Sequence, residues 1–209
     1  MGVDAADINH DGWMDLYITD LYPSELFIND GDGTFTAIGE ASGVDDTGMT
    51  WGCAWFDYDN DSETDLYIVN DYAFAAYPNL LYRGLGGLAF EITSTGIPDL
   101  EHPFQDYGMA QGDLDGDGDL DVAIATSGSS IQPGFTVLEN LNATGHAAHI
   151  RLEGTVSNRD AIGARVTAYF DDQVRTDEVH CGQGYSGSSS FQVHFGIGES
   201  TSLDSVVIR

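Results

Sequence analysis

Three acidic nine-residue phrases recur along the chain: DINHDGWMD at 7–15, DYDNDSETD at 57–65 and DLDGDGDLD at 113–121. Oxygen-bearing side chains stand at positions 1, 3, 5 and 9 of each. They are Asp7, Asn9, Asp11 and Asp15 in loop 1, and Asp57, Asp59, Asp61 and Asp65 in loop 2. In loop 3 they are Asp113, Asp115, Asp117 and Asp121. Aspartate, asparagine and glycine also favour ordinary solvated turns, so one copy alone decides nothing. Three copies in register, each running into an apolar strand-like segment, favour a turn that wraps a hard cation.

The electrostatics push the same way. At about 5 Å and an effective dielectric of about 20, each like-charged pair costs roughly 3 kcal/mol. A divalent ion reverses that sign, which makes metal binding part of folding. The donors are all oxygen, and calcium tolerates about six to eight of them in a flexible geometry. About three calcium ions are expected, one per loop. Position 7 would add a backbone carbonyl, from Trp13, Glu63 and Asp119.

An EF-hand is excluded, because it needs a bidentate glutamate at loop position 12 and flanking helices. Position 12 is Ile18, Ile68 and Ile124, each inside a strand-like run. The loops are expected to differ. Loop 3 has four aspartates and Gly118 at the sharp turn, so it should bind most tightly. Loop 1 has the neutral Asn9, and loop 2 has Ser62 where glycine would adopt positive φ more cheaply, by about 1 kcal/mol.

The formal net charge is −29 over 209 residues, with no lysine; all six cationic side chains are arginine. That excludes a nucleic-acid surface, a lysine-dependent phosphate loop and a lysine Schiff base. Calcium sites of this sort commonly work at extracellular concentrations, which points to a secreted protein. No run of residues is apolar and long enough to insert in a membrane as a helix. Cys53 and Cys181 are compatible with one disulfide, an intermolecular link or two buried free thiols, the last being the default expectation, and residues 142–144 form a glycosylation sequon.

The loops are spaced by 50 and then 56 residues, a period that suits four-stranded β-propeller blades. The expected fold is all-β: three blades at about 1–50, 51–106 and 107–145, then a small β-sandwich-like unit at 146–209. The fourth strand of the last blade is not legible, because the pattern changes after Asn142. Met1 aligns with Trp51 and Tyr107 as the first residue of a repeat unit, which leads us to expect a trimmed fragment. Three blades cannot close a ring, so either upstream blades or a second copy would cover the open faces.

The phrases D-x-D-x-D-G-x-x-D-L and NDGDGTF at 29–35 resemble the FG-GAP/VCBS propeller repeat of integrin α-chain heads and many secreted bacterial proteins. The resemblance covers about 1–145 and implies calcium at the positions named. Residues 154–166, 182–186 and 194–198 resemble the ASPIC/UnbV domain, which follows such repeats in the cartilage acidic protein family. That family is not known as enzymatic.

No zincin, Cys-x-x-Cys or nucleophile-elbow motif occurs, so no catalytic residue and no enzyme activity is expected. His180 and Cys181 read as neighbours in one strand, and Ser186, Ser188, Ser189 and Ser190 as a polar hairpin. Tyr17, Tyr22, Tyr67, Trp51 and Trp55 read as blade packing, with a sugar-binding platform as the alternative. The functional expectation is an extracellular calcium-stabilised scaffold or adhesion module that meets a protein partner or its own copies. The alternatives are a carbohydrate-binding module and an accessory domain of a larger secreted enzyme.

Overall fold

The computed structural model describes residues 1–71, 77–101, 104–127, 134–141 and 143–209. Strands β1 (Val3–Ala6), β2 (Asp15–Ile18), β3 (Glu25–Asn29) and β4 (Phe35–Ala37) form an antiparallel meander, followed by the short helix α1 (Gly39–Ser42). A second meander repeats it: β5 (Thr50–Phe56), β6 (Asp65–Asn70), β7 (Leu80–Gly84) and β8 (Phe90–Ile92), followed by α2 (Pro98–Glu101). The third sheet, β9 (Asp106–Gly112), β10 (Asp121–Thr126) and β11 (Phe135–Leu138), has three strands among the described residues.

These sheets lie face to face like propeller blades. One apolar cluster, including Tyr17, Leu26, Trp55 and Leu66, fills the space between the first and second. Another, including Tyr67, Leu81, Met109 and Val122, fills the space between the second and third. The repeat extends to single atoms: the Tyr17 hydroxyl donates to the Val44 carbonyl, and the Tyr67 hydroxyl to the Leu100 carbonyl, both at 2.7 Å. The first strands sit side by side. Trp55 N–H donates to Asp4 Oδ2, and Gln111 Nε2–H to the Trp55 carbonyl.

The C-terminal unit packs two small sheets around a third core of Val166, Phe170, Val193, Phe195 and Ile197. One sheet pairs β12 (His146–Ile150) with β15 (Val193–Gly198). The other runs β14 (Gln173–Glu178), β13 (Arg165–Phe170), β16 (Ser205–Ile208). Alternation of apolar residues in β13 and β15 puts one face of each on this core.

Three expectations are corrected. Tyr22 is not packing residue but 74% exposed, because it lies in the turn between β2 and β3. Cys53 is buried and free as expected, whereas Cys181 is free but exposed. His180 and Cys181 follow the end of β14 in irregular chain, so strand alternation does not govern where they point. Asn142 of the sequon lies outside the described residues.

Candidate metal loops and the seat of the C-terminal unit

Each acidic phrase is the connection between the first and second strand of its sheet: β1–β2, β5–β6 and β9–β10. One wiring pattern recurs in all three. The position 5 amide donates to the position 3 side-chain oxygen: Asp11 to Asn9, Asp61 to Asp59, Asp117 to Asp115. The position 7 amide donates to the position 5 carboxylate: Trp13 to Asp11, Glu63 to Asp61, Asp119 to Asp117. These bonds curl the backbone so that the acidic side chains turn inward. In loops 2 and 3 the residues at positions 1, 3 and 5 each bring a carboxylate oxygen within 4.8 Å of the others.

Position 9 has a second job. Asp15 accepts the amides of Ile8 and Asn29, Asp65 those of Tyr58 and Gly84, and Asp121 those of Leu114 and Asn140. Each carboxylate thus ties the start of its loop to the end of the third strand of its blade or, through Asn140, to the residues just beyond it. All three are buried. Two bonds per carboxylate leave lone pairs to spare, so the latch and a metal-ligand role are compatible.

The turn demands positive φ at positions 4 and 6. Loop 3 meets it with Gly116 and Gly118, loop 1 with His10 and Gly12, and loop 2 with Asn60 and Ser62. Only loop 3 has glycine at both, so it carries the least backbone strain.

Burial raises the carboxyl pKa values in these loops: Asp7 to about 6, Asp57 to about 8 and Asp65 to about 9. At Asp57 the neighbouring charges of Asp61 and Asp59 add to burial, while the Ser62 amide opposes it. Asp57 and Asp65 therefore hold protons at neutral pH unless a cation compensates them. The oxygen-only donor set fits a hard divalent ion. Loop 2 has a cation of its own as well: Arg83 on β7 pairs through Nε with Asp59 at 2.8 Å and through Nη2 with Asp61 at 2.6 Å. These pairs hold the guanidinium pKa above its ordinary value.

The C-terminal unit is seated on all three loops. Its donors reach the position 6 carbonyl of each: Arg165 Nη1 to Gly12 at 2.9 Å, Arg175 Nε to Ser62 at 2.6 Å, and His149 Nε2 to Gly118 at 3.1 Å. Arg175 also pairs with Glu63, which binds His10 of loop 1. His149 Nε2–H is shared with His194 Nδ1 at 2.8 Å. His194 in turn donates from Nε2 to Asn60 Oδ1, and the Asn60 amide donates to Asp119. Burial and then the neighbouring His149 charge hold the His194 pKa down at about 3, so this ring is neutral. The relay therefore runs in one direction, from β12 through β15 into loops 2 and 3.

Loop 2 is the most deeply engaged. Ser62 Oγ–H donates to the Gly196 carbonyl, and Gly198 N–H to the Asn60 carbonyl. A Cβ at Gly196 would fall on the Asp57 carboxylate, so only glycine lets β15 approach this closely. The serine-rich segment is more than a hairpin: it crosses the first strands of the blades. Gly184 exchanges hydrogen bonds with Val3, Gln111 N–H donates to Ser189 Oγ, and Ser190 N–H to the Gln111 carbonyl. Trp51 packs within the same seam, its ring 5.4 Å from Tyr107 and 5.1 Å from Tyr185.

Two segments of the chain match known families. Residues 7–68 match the FG-GAP-like repeat, and residues 154–209 match the ASPIC and UnbV domain. The chain carries an FG-GAP-like repeat followed by an ASPIC/UnbV domain. FG-GAP-like repeats are propeller-type and typically extracellular, so the chain is an extracellular-type β-repeat module. No curated protein matches the chain. Among the described residues no helix is long and apolar enough to cross a membrane.

Arg83, His149 and Arg175 were given no role by the sequence, and Arg165 and Gly196 entered only as part of the segments that resemble the ASPIC/UnbV domain. The one available signal was scarcity. With six arginines against 35 acidic side chains, the few cations were candidates for contacts with the acidic loops, and Arg83, Arg165 and Arg175 make them.

Proposed function

We propose that this chain is an extracellular calcium-ordered scaffold. Divalent ions in the three loops stiffen the FG-GAP-like blades, and the stiffened loops form the seat that holds the ASPIC/UnbV domain in place. The assembled surface then serves contact with another protein. One observation carries the reading: the position 6 carbonyl of every loop accepts a hydrogen bond from the C-terminal domain. The same turn that gathers the acidic oxygens also presents that carbonyl, so an ion that fixes the turn fixes the seat. Calcium supplies the charge that offsets the carboxylates, and loop 3, with its two glycines, is the tightest site.

Hydrogen exchange of the intact chain in calcium and in chelator tests this. Chelation should speed exchange in β12, β14 and β15 as well as in the loops themselves. Calcium binding measured by calorimetry, with no change in exchange of the C-terminal strands, would reject the seat.

A further inference from the structure

The outer edge of the first two sheets is closed by β4 and β8. In the second sheet, Leu88 and Phe90 pack against the core shared with the first sheet, and the Phe90 ring lies 5.7 Å from that of Trp55. The third sheet differs. Among the described residues β11 pairs with β10 alone, and no described residue between β11 and β12 lies in a strand. Between the second and third sheets there is an open groove of about 440 Å³. Tyr58, Tyr67, Leu81, Leu100, Val122 and Leu138 line it. Phe135 and Val137 of β11 are exposed.

The neighbouring blade says what chemistry this groove takes. Gly84 and Asn140 occupy equivalent places, since each donates its amide to the position 9 carboxylate of its own loop. Glu139 therefore stands where Arg83 stands. Arg83 lies opposite Glu91 of β8, with Nη1 4.0 Å from its carboxylate. At Glu139 the charge is inverted, the side chain is exposed, and no cation pairs with it among the described residues. Asp99 also lines the groove.

We infer that the groove accepts an extended strand of another protein, added beside β11, with apolar and aromatic side chains directed inward and a lysine or arginine opposite Glu139. Strand addition of this kind draws affinity from main-chain bonds and specificity from side-chain pockets. Charge favours a basic partner over a second copy, because the chain carries −29 with only six arginines against 35 acidic residues. Strand order and register define this groove independently of calcium.

The probe is a capped peptide LAFKIT, the sequence of 88–93 with lysine in place of glutamate, titrated up to millimolar concentration into the isotope-labelled intact chain. LAFEIT is the control. LAFKIT should saturably shift the amides of 137–139 and bind about fivefold tighter than LAFEIT, the size expected when a cross-strand repulsion becomes an attraction. Glu139→Arg, an exposed change, should reverse that order. Absence of shifts in β11, equal binding of the two peptides, or a preference that survives Glu139→Arg would overturn the inference. So would sedimentation showing that the native chain forms a dimer which Glu139→Arg dissociates, since a second copy would then be the occupant.

Discussion

Arg175 of β14 donates to the carbonyl of Ser62 at 2.6 Å and pairs through Nη2 with Glu63 at 3.3 Å, so one guanidinium grips two consecutive residues of a loop more than a hundred positions earlier. Burial lowers its pKa, with Glu63 and the loop aspartates opposing that shift. Removing one partner from such a half-buried charged contact typically costs about 1.5–3 kcal/mol. Arg175→Ala should therefore lower the stability of the whole chain by that amount. It should also split a single calorimetric transition into two, as the C-terminal domain comes loose before the blades. One unsplit transition with unchanged midpoint would show that the contact does not couple them.

Ser62 offers a sharper contrast. Its φ of +78° carries a cost of about 1 kcal/mol relative to glycine, yet its hydroxyl binds the Gly196 carbonyl at 2.9 Å. Ser62→Gly should be close to neutral, because the relieved strain and the lost hydrogen bond offset each other. Ser62→Ala keeps the strain and loses the bond, and should destabilise by about 1–2 kcal/mol. Denaturant midpoints of the two variants separate the effects.

Arg83 supplies positive charge to loop 2 whether or not an ion is present. Its pairs are partly solvent-exposed and worth about 1 kcal/mol together. Arg83→Gln should destabilise the chelated protein more than the calcium-loaded one, since calcium offsets the same carboxylates. Melting curves of the variant in both conditions measure the difference, and an equal loss in both would contradict it.

The acidic loops make the pH dependence change sign. Without a cation, Asp57 and Asp65 have folded pKa values of about 8 and 9, far above the unfolded value of 3.8. Their contribution is then fully present below about pH 4 and is lost as pH rises through 8–9. With calcium bound the carboxylates are held ionised, so stability should instead fall as pH drops, and binding should release protons. Stability measured in chelator and in calcium at pH 5 and pH 8 should show opposite slopes.

Much of this was readable in the chain itself. The spacing of aspartates placed the three hairpins, and Ile18, Ile68 and Ile124 do lie in β2, β6 and β10, as the rejection of an EF-hand required. Local patterns carry such information because the ligands and turn residues of one loop are neighbours in sequence. The seat was not readable, because His149, Arg165 and Arg175 meet the loops only through tertiary approach, and no local spacing encodes it. Tyr22 was misjudged for a related reason: an aromatic residue beside a strand looks like core until the turn that carries it is placed. The unclear fourth strand of the third blade was a genuine signal, since the described third sheet stops at β11.

Thermal unfolding of the intact chain in calcium and in chelator tests the central claim most directly. One site filled at about a hundred times its dissociation constant adds about 2.7 kcal/mol, and in a chain of this size each kcal/mol raises the melting temperature by about 2–4 °C. Three sites predict a rise of more than about 10 °C in calcium, with magnesium giving much less. The same melting temperature in calcium and in chelator would mean that the acidic turns hold their shape without an ion.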